Sequence, residues 1–261
     1  MNTLVFDIET VPDVELGRRL YGLHDLDDAG VAKAMFAKQR HVRQNDFLPP
    51  PQQRVVAISV VLRSRDSLTI FSLGDEQSPE RELVQRFFDG LERFAPVLVS
   101  WNGSGFDLPV LNYRALRHGI NAHTYWEVGE SDRDFRYNNY LSRYHWRHID
   151  LMDVLSGYGA SGRASLELAA QLIGLPGKLG IGGSQVWPAF RRGELGAIRD
   201  YCELDALNTY LIFLRFELTR GALDAATYQK ELEVVEAKLA QSDRPHLKQY
   251  LALWQTTRHA G

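Results

Sequence analysis

The sequence predicts an α/β fold in which helices flank a mixed β-sheet. Two observations lead to this class: three strand-like segments follow one another early in the chain, and helical patterns then alternate with a fourth strand. The chain has 261 residues, of which 44% are apolar and 24% charged, as in a globular domain with a full hydrophobic core. We therefore expect one domain, with at most a small helical appendage.

The strand signals lie in the first part of the chain. Residues 4–8 form an apolar strand, residues 55–62 form a β-branched run that is apolar on both faces, and residues 68–73 form a third strand after a charged turn. Three strands in succession suggest a meander. Residues 13–43, between the first two strands, predict an insertion of one or two short polar helices, and the prolines at 49–51 stiffen the chain that follows it.

Helical spacing dominates from residue 79 onward. Apolar residues on one stripe predict a crossover helix around 83–91, which leads to a fourth strand at 97–100. Further helices are expected at 108–118, 165–173, 194–218 and 224–239.

Composition restricts the function only weakly. The formal net charge of −3 shows no global basic signature of nucleic-acid binding, although a cluster of catalytic acids would itself lower the total. Cys202 is the only cysteine, so neither an intramolecular disulfide nor a cysteine-based zinc site can form. The chain shows no signal-peptide pattern and no apolar run near the ~18 residues of a membrane span. We expect a cytoplasmic protein with no membrane partner.

Two carboxylates one residue apart stand at the end of the first strand. Asp7 and Glu9 leave the same face of that strand, because strand side chains alternate. Two carboxylates held this close repel each other unless a cation lies between them, so the pair predicts a metal site. The competing interpretation is that the strand simply ends in solvent.

Three more residues join them as candidates for chemistry. Asp107 precedes a predicted helix, where an N-cap role would also explain an aspartate. Tyr201 and Asp205 are four residues apart on the long helix and share one face, which fits either a common site or an exposed polar face. We expect Glu203, between them, to be exposed.

Three motifs in this order resemble the DEDD-type 3'-5' exonucleases, in the branch whose third motif carries a tyrosine. They are FDIET at 6–10, WNGSGFDLPVL at 101–111 and YCELDALNTY at 201–210. The middle motif is similar to the YNGxxFDxPYL segment of the proofreading domain of family B DNA polymerases. Trp101 and Val110 depart from that pattern, and neither change touches the acid.

This resemblance extends over residues 2–218 and leaves no room for a polymerase palm or fingers. The chain is therefore similar to the free-standing PolB-like exonucleases. The resemblance implies a ribonuclease-H-like fold with a mixed five-stranded sheet flanked by helices, plus a helical insertion and a C-terminal helix. It also implies an exonuclease domain over residues 1–218 and a C-terminal helical extension over 219–261 that packs on the same domain.

The resemblance implies a divalent-metal-dependent 3'-5' exonuclease. It would release nucleoside 5'-monophosphates from single-stranded ends by a two-metal mechanism, with DNA favoured over RNA. Asp7, Glu9, Asp107 and Asp205 would hold two ions, Mg²⁺ or Mn²⁺, both of which prefer oxygen ligands. Tyr201 would orient the attacking water, because a tyrosine with a pKa of about 10 is a poor base at neutral pH.

Substrate contacts follow from the same resemblance. Thr10, Asn102 and Phe106 match family positions that touch the terminal nucleotides. The basic and aromatic segment 133–147 suits either strand binding or packing against its own domain, and Lys178 either reaches a phosphate or is solvated.

Several alternatives stay open. The pattern HxDxxD at 148–153 resembles a metal site, but we expect His148 to be structural because four better-matched carboxylates are assigned. An exoribonuclease or short-oligonucleotide hydrolase on the same fold is the first alternative function. A non-catalytic nucleic-acid-binding module is the second, and the presence of all four acids and the tyrosine counts against it. The sequence does not identify a protein partner.

Overall fold

The structure, a computed structural model, describes residues 2–177 and 179–259, with side chains as far as Thr257. The strands in these residues are β1 (Thr3–Pro12), β2 (Gln53–Arg63), β3 (Leu68–Ser72), β4 (Val97–Ser100) and β5 (His148–Asp150). The helices are α1 (Val14–Tyr21), α2 (Asp28–Arg43), α3 (Glu80–Phe94), α4 (Asp107–His118), α5 (His123–Trp126), α6 (Leu151–Leu155), α7 (Leu166–Leu172), α8 (Val186–Arg191), α9 (Leu195–Thr219), α10 (Ala225–Ala240) and α11 (Pro245–His259).

The strands form one mixed sheet in the order β3-β2-β1-β4-β5. β2 runs antiparallel to both β1 and β3, so the predicted meander is confirmed. β4 lies parallel to β1 on the other side, and β5 lies parallel to β4. The mixed five-stranded sheet flanked by helices, which the resemblance to a ribonuclease-H-like fold implied, is thus confirmed. Its central strand is β1, which carries the first acidic pair.

The two faces of the sheet are covered by different helices. Val5 of β1 belongs to a buried cluster with α7, α9, α10 and α11, whereas Phe6 and Ile8 belong to a second cluster with α3 and α4. Because strand side chains alternate, Asp7 and Glu9 share the face of Val5. The pair therefore points toward α9.

The insertion after β1 contains the two predicted helices, α1 and α2. Each begins with an aspartate N-cap: Asp13 accepts a hydrogen bond from an amide of α1, and Asp27 accepts one from an amide of α2. Arg114 of α4 is only 2% exposed and pairs with both Asp13 and Glu80, the first residue of α3. This buried ion cluster fixes the start of the insertion against the body of the sheet.

The C-terminal region contains two helices where one was predicted. α10 lies at the expected place, but α11 follows it, so the expectation of a single C-terminal helix is wrong. Leu247, Tyr250 and Trp254 of α11 are buried in the cluster that includes α9, at the i, i+3, i+7 spacing of an amphipathic helix. That spacing was the available signal. No helix in the described part of the chain combines the length and apolar character that a bilayer crossing needs.

Candidate active site

The carboxylates of β1 lie where the strand loses its regular pairing. Asp7 is opposite Ser59 and Glu9 is opposite Ala57, and the register with β2 then shifts between Glu9 and Thr10. Such an irregularity bends a strand and redirects side chains, and it is common beside active sites. Both acids lie in the regular part of β1 just before this irregularity, so strand alternation keeps them on one face.

Helix α9 supplies the next two candidate residues. Its side chains from 201 to 214 are almost all buried, because the helix packs across β1 and β2. Tyr201 and Asp205 are 4% and 7% exposed, so the alternative of an exposed polar face is wrong for them. One carboxylate oxygen each from Asp7, Glu9 and Asp205 lies within 4.8 Å of the others. The structure thus brings Asp205 to a pair of acids that lies nearly 200 residues earlier in the sequence.

Asp107 lies beside this cluster and is held by β1. It is the first residue of α4, and Phe106 occupies the N-cap position, so the cap interpretation does not apply. Its Oδ1 atom accepts a hydrogen bond of 3.2 Å from the backbone N–H of Ile8. The Asp107 charge also acts on Asp7. The compact group of three found among the described residues does not include Asp107, which stands next to it.

The charges of the cluster are poorly compensated by the protein itself. Burial raises the pKa of Asp7 well above its usual range, and the charges of Glu9, Asp205 and Asp107 raise it further. Burial likewise raises the pKa of Asp107 to about 7. Asp7 Oδ2 is buried and accepts no hydrogen bond from the described residues. A set of oxygen donors that includes such an atom fits a hard divalent cation.

Tyr201 keeps its proton in this setting. Burial raises the pKa of the hydroxyl above its ordinary value, and the charges of Asp205, Glu9 and Asp7 raise it further. The hydroxyl also hydrogen-bonds Asp205. A protonated phenol is a hydrogen-bond donor or acceptor and not a base, which agrees with a positioning role.

Asp150 organises the loop that leads to Asp107. Its two oxygens accept hydrogen bonds of 2.9 Å from the backbone N–H groups of Asn102 and Ser104. Asn102 has a φ of 65°, a left-handed conformation that asparagine tolerates better than most residues. His148 is buried and hydrogen-bonds Ser100, and burial lowers its pKa to about 4, so it is neutral. The expectation of a structural His148 agrees with this environment, whereas the role of Asp150 was missed although its motif was noticed.

A cleft of about 750 Å³ opens over the acids. The three predicted substrate contacts, Thr10, Asn102 and Phe106, all line it. The hydroxyl of Thr10 donates to Gln53 Oε1 at 2.9 Å, so this side chain also links β1 to β2. Other lining residues come from segments for which sequence patterns predicted no role; they include Phe36, Phe47, Leu48, Met152, Trp187 and Pro188.

The basic and aromatic segment 133–147 lies elsewhere. Phe135, Tyr140 and Arg147 are buried together, with the Arg147 guanidinium 4.0 Å from the centre of the Phe135 ring. Arg143 forms an ion pair of 2.7 Å with Asp153. Among the described residues, the cleft lining takes nothing from this segment. These contacts favour packing over strand binding.

Two further expectations have different outcomes. Glu203 was expected to be exposed, but it is 3% exposed and accepts hydrogen bonds from Ser72, Arg244 and His246. The prediction was wrong because α10 and α11 bring the chain back over that face of α9. Lys178, the candidate phosphate contact, lies outside the described residues.

Three comparisons relate the chain to known proteins. A family model described as "Predicted 3'-5' exonuclease related to the exonuclease domain of PolB" matches residues 45–254, a range that includes Asp107, Tyr201 and Asp205. A DNA polymerase of Archaeoglobus fulgidus is 26% identical over 166 residues, which cover 62% of this chain and 20% of that protein. The family B DNA polymerase of the hyperthermophilic archaeon Pyrobaculum calidifontis gives a TM-score of 0.44 at 19% identity, covering 82% of this chain and 25% of that chain. The chain thus spans about a fifth of the curated relative.

Proposed function

We propose a specific reaction on the premise that this chain belongs to the family of predicted 3'-5' exonucleases related to the exonuclease domain of PolB, a family of hydrolytic nucleases. The chain would remove nucleotides one at a time from the 3' end of single-stranded nucleic acid and release nucleoside 5'-monophosphates. DNA is the favoured substrate, because the curated relative is named as a DNA polymerase. We include the helices of residues 219–261 in the same folding unit, since their apolar side chains share a buried cluster with α9.

The observation that carries this proposal is the cluster of Asp7, Glu9 and Asp205, with a buried oxygen of Asp7 that accepts no hydrogen bond from the part of the chain that the structure describes. Together with Asp107, these residues would hold two divalent ions, Mg²⁺ or Mn²⁺. When bound, such ions lower the pKa of an attacking water and stabilise the leaving oxygen. An all-oxygen donor set suits both metals, and Mg²⁺ also accepts substrate phosphate as a ligand.

The protein residues supply position and charge. Tyr201 keeps its proton, so its hydroxyl would orient the attacking water through a hydrogen bond while Asp205 holds that hydroxyl in place. Asp107 is fixed to the backbone of β1 by Ile8, which couples the start of α4 to the strand that carries the other acids. Asn102 and Phe106 would contact the terminal nucleotide from the loop that Asp150 fixes.

The test is degradation of 5'-labelled strands by purified protein. DNA and RNA of one sequence, single- and double-stranded, are incubated with Mg²⁺ or Mn²⁺ and with Asp7→Asn, Asp205→Asn and the control Asp66→Asn. Asp66 is an exposed carboxylate in the β2–β3 turn. We expect a ladder that shortens from the 3' end, with 5'-monophosphate products, in the parent and the control only.

Each arm of this experiment decides one part of the proposal. Loss of at least about 100-fold in the two site variants is expected, as for removal of a group that stabilises transition-state charge. Equal cutting by Asp205→Asn would refute the assignment of the site. Faster shortening of RNA than of DNA would favour the exoribonuclease alternative, and binding without shortening would favour a non-catalytic module.

A further inference from the structure

The insertion between β1 and β2 reaches the cleft that holds the acids. Phe36 of α2, and Phe47 and Leu48 of the loop that follows α2, all line that cleft. Phe36 is partly buried and Leu48 is almost fully buried, whereas the side chain of Phe47 is 58% exposed. An exposed aromatic ring at the edge of a cleft offers a flat face on which a base can stack.

The backbone around Phe47 is fixed on both sides. Its N–H donates to Asn45 Oδ1 at 3.0 Å, and its carbonyl accepts from Gln39 Nε2 at 2.7 Å. The next carbonyl, that of Leu48, accepts from Gln53 Nε2 at 2.9 Å, and Gln53 in turn accepts from Thr10 on β1. The exposed ring is therefore attached to a backbone that is tied directly to the catalytic strand.

Aromatic side chains reach the cleft from both faces of the sheet. The Phe47 ring lies on Phe106, with 4.9 Å between the ring centres and 55° between the planes. Phe106 packs on the cluster of α3 and α4, whereas Trp187 packs on the cluster of α8 and α9. Since Phe47, Phe106 and Trp187 all line the same cleft, flat rings bound it from two directions.

Helix α2 adds positive charge on the same side. Lys33, Arg40 and Arg43 lie at i−3, i+4 and i+7 from Phe36, so they share the face of the helix that reaches the cleft. All three are exposed, and residues 29–45 contain no acidic side chain. Arg40 pairs with Asp46 in the adjoining loop at 2.6 Å. Asp46 lines the cleft and the three cations flank it, so this face offers positive charge to a strand that leaves the cleft past Phe47.

We propose that the insertion is the strand-binding arm of this enzyme: Phe47 stacks on an unpaired base near the 3' end, and the basic face of α2 contacts the phosphates that follow. This inference rests on the proposed exonuclease function and adds residues outside the three motifs. Stacking on an aromatic ring accepts any base but needs one that has left the duplex stack, because adjacent bases cover both faces of a base inside a duplex. The arm thus makes the enzyme select single-stranded ends without selecting sequence.

The test compares parent, Phe47→Ala, Phe47→Trp and the control Tyr137→Ala on two strands. Tyr137 is exposed and lies outside the cleft lining. One strand is normal, and the other carries abasic tetrahydrofuran residues at its last three 3' positions. Phe47→Ala should lower kcat/KM on the normal strand by about 5- to 100-fold, the range of one base–aromatic stack. It should leave the abasic strand unaffected, and Phe47→Trp should restore most of the rate.

A second measurement addresses the basic face. The affinity for single-stranded DNA is measured by fluorescence anisotropy between 50 and 300 mM KCl for Arg40→Gln/Arg43→Gln and the control Arg65→Gln, which changes an exposed arginine of the β2–β3 turn. The double variant should bind more weakly, and its slope of log K against log salt should be shallower by about 0.7 for each phosphate that the protein no longer neutralises. The control should change neither.

The outcomes separate the two proposals. If the parent shortens no strand, the exonuclease proposal fails, and binding still tests the arm through Phe47→Ala and the arginine variants. If the parent shortens single strands while Phe47→Ala cuts both strands at the parental rate, the arm is refuted. An equal loss on normal and abasic strands would also refute stacking, because it would show a general disturbance of the site. Unchanged melting temperatures of the variants are required and expected, since the substituted side chains are exposed.

Discussion

Replacement of Asp107 by asparagine is expected to stabilise the metal-free protein while it damages the site. Burial raises the pKa of Asp107 from its ordinary value of 3.8 to about 7. The folded state therefore holds a proton that the unfolded state has lost between these two pH values. A carboxyl group of this kind reduces stability progressively as the pH rises from about 4 to 7, and the reduction levels off above 7.

The size of the effect follows from the difference between the two pKa values. A pKa change of one unit corresponds to about 1.4 kcal/mol, so the ionisable group costs on the order of 4 kcal/mol at pH 8 and about 2 kcal/mol at pH 5. Asparagine does not ionise, and its Oδ1 atom can still accept the hydrogen bond from Ile8. The stability advantage of Asp107→Asn should therefore grow by about 2–3 kcal/mol between pH 5 and pH 8.

The assay is urea unfolding in EDTA at pH 5, 6, 7 and 8 for the parent, Asp107→Asn and the exposed control Asp66→Asn. The difference in the free energy of unfolding between Asp107→Asn and the parent should grow progressively up to pH 7. The difference between Asp66→Asn and the parent should not change with pH. With Mn²⁺ in place of EDTA, the order at pH 8 should reverse, because metal binding stabilises only the protein that binds it well. An advantage that does not change with pH, or that falls as the pH rises, would refute the account of a buried, charge-repelled carboxyl group.

Three further predictions concern single residues. Tyr201→Phe should lower kcat by about 10- to 100-fold while the Mn²⁺ affinity measured by calorimetry stays the same, because the hydroxyl positions water and does not bind metal; a parallel loss of affinity would contradict this role. Arg114→Met should reduce the free energy of unfolding by about 3 kcal/mol, since it removes the guanidinium that joins two buried carboxylates and leaves Asp13 with Arg117 and Glu80 with His118; a loss below about 1 kcal/mol in urea unfolding would show that the cluster is not structural. Glu203→Ala should cost about 1–3 kcal/mol at pH 7. Burial raises the pKa of Glu203, but hydrogen bonds from its partners lower it overall, so the cost should shrink as the pH falls below the ordinary glutamate value of 4.5; a constant difference in melting temperature from pH 7 to pH 3.5 would contradict this.

Local patterns in the sequence predicted the secondary structure because they depend on neighbours along the chain. The alternation in β1 placed Asp7 and Glu9 on one face, and the i, i+4 spacing placed Tyr201 above Asp205. The same local patterns do not reveal burial that depends on distant contacts. Glu203 was expected to be exposed because nothing near it in sequence indicates that α11 covers it. α11 itself has an apolar pattern that was overlooked.

The sequence by itself determined the order of the elements, the family resemblance and the identity of the candidate acids, since these are properties of residue type and spacing. Only the tertiary structure decided which acids meet. It placed Asp205 within 4.8 Å of Asp7 and Glu9, left Asp107 beside them on a hydrogen bond to Ile8, and brought the insertion to the cleft. The physical reason is that the sheet fixes the end of β1. The packing of α9 then positions Asp205, and the hydrogen bonds of Gln53 to Thr10 and Leu48 position the insertion. Those contacts join residues that are tens to hundreds of positions apart, where no local pattern reaches.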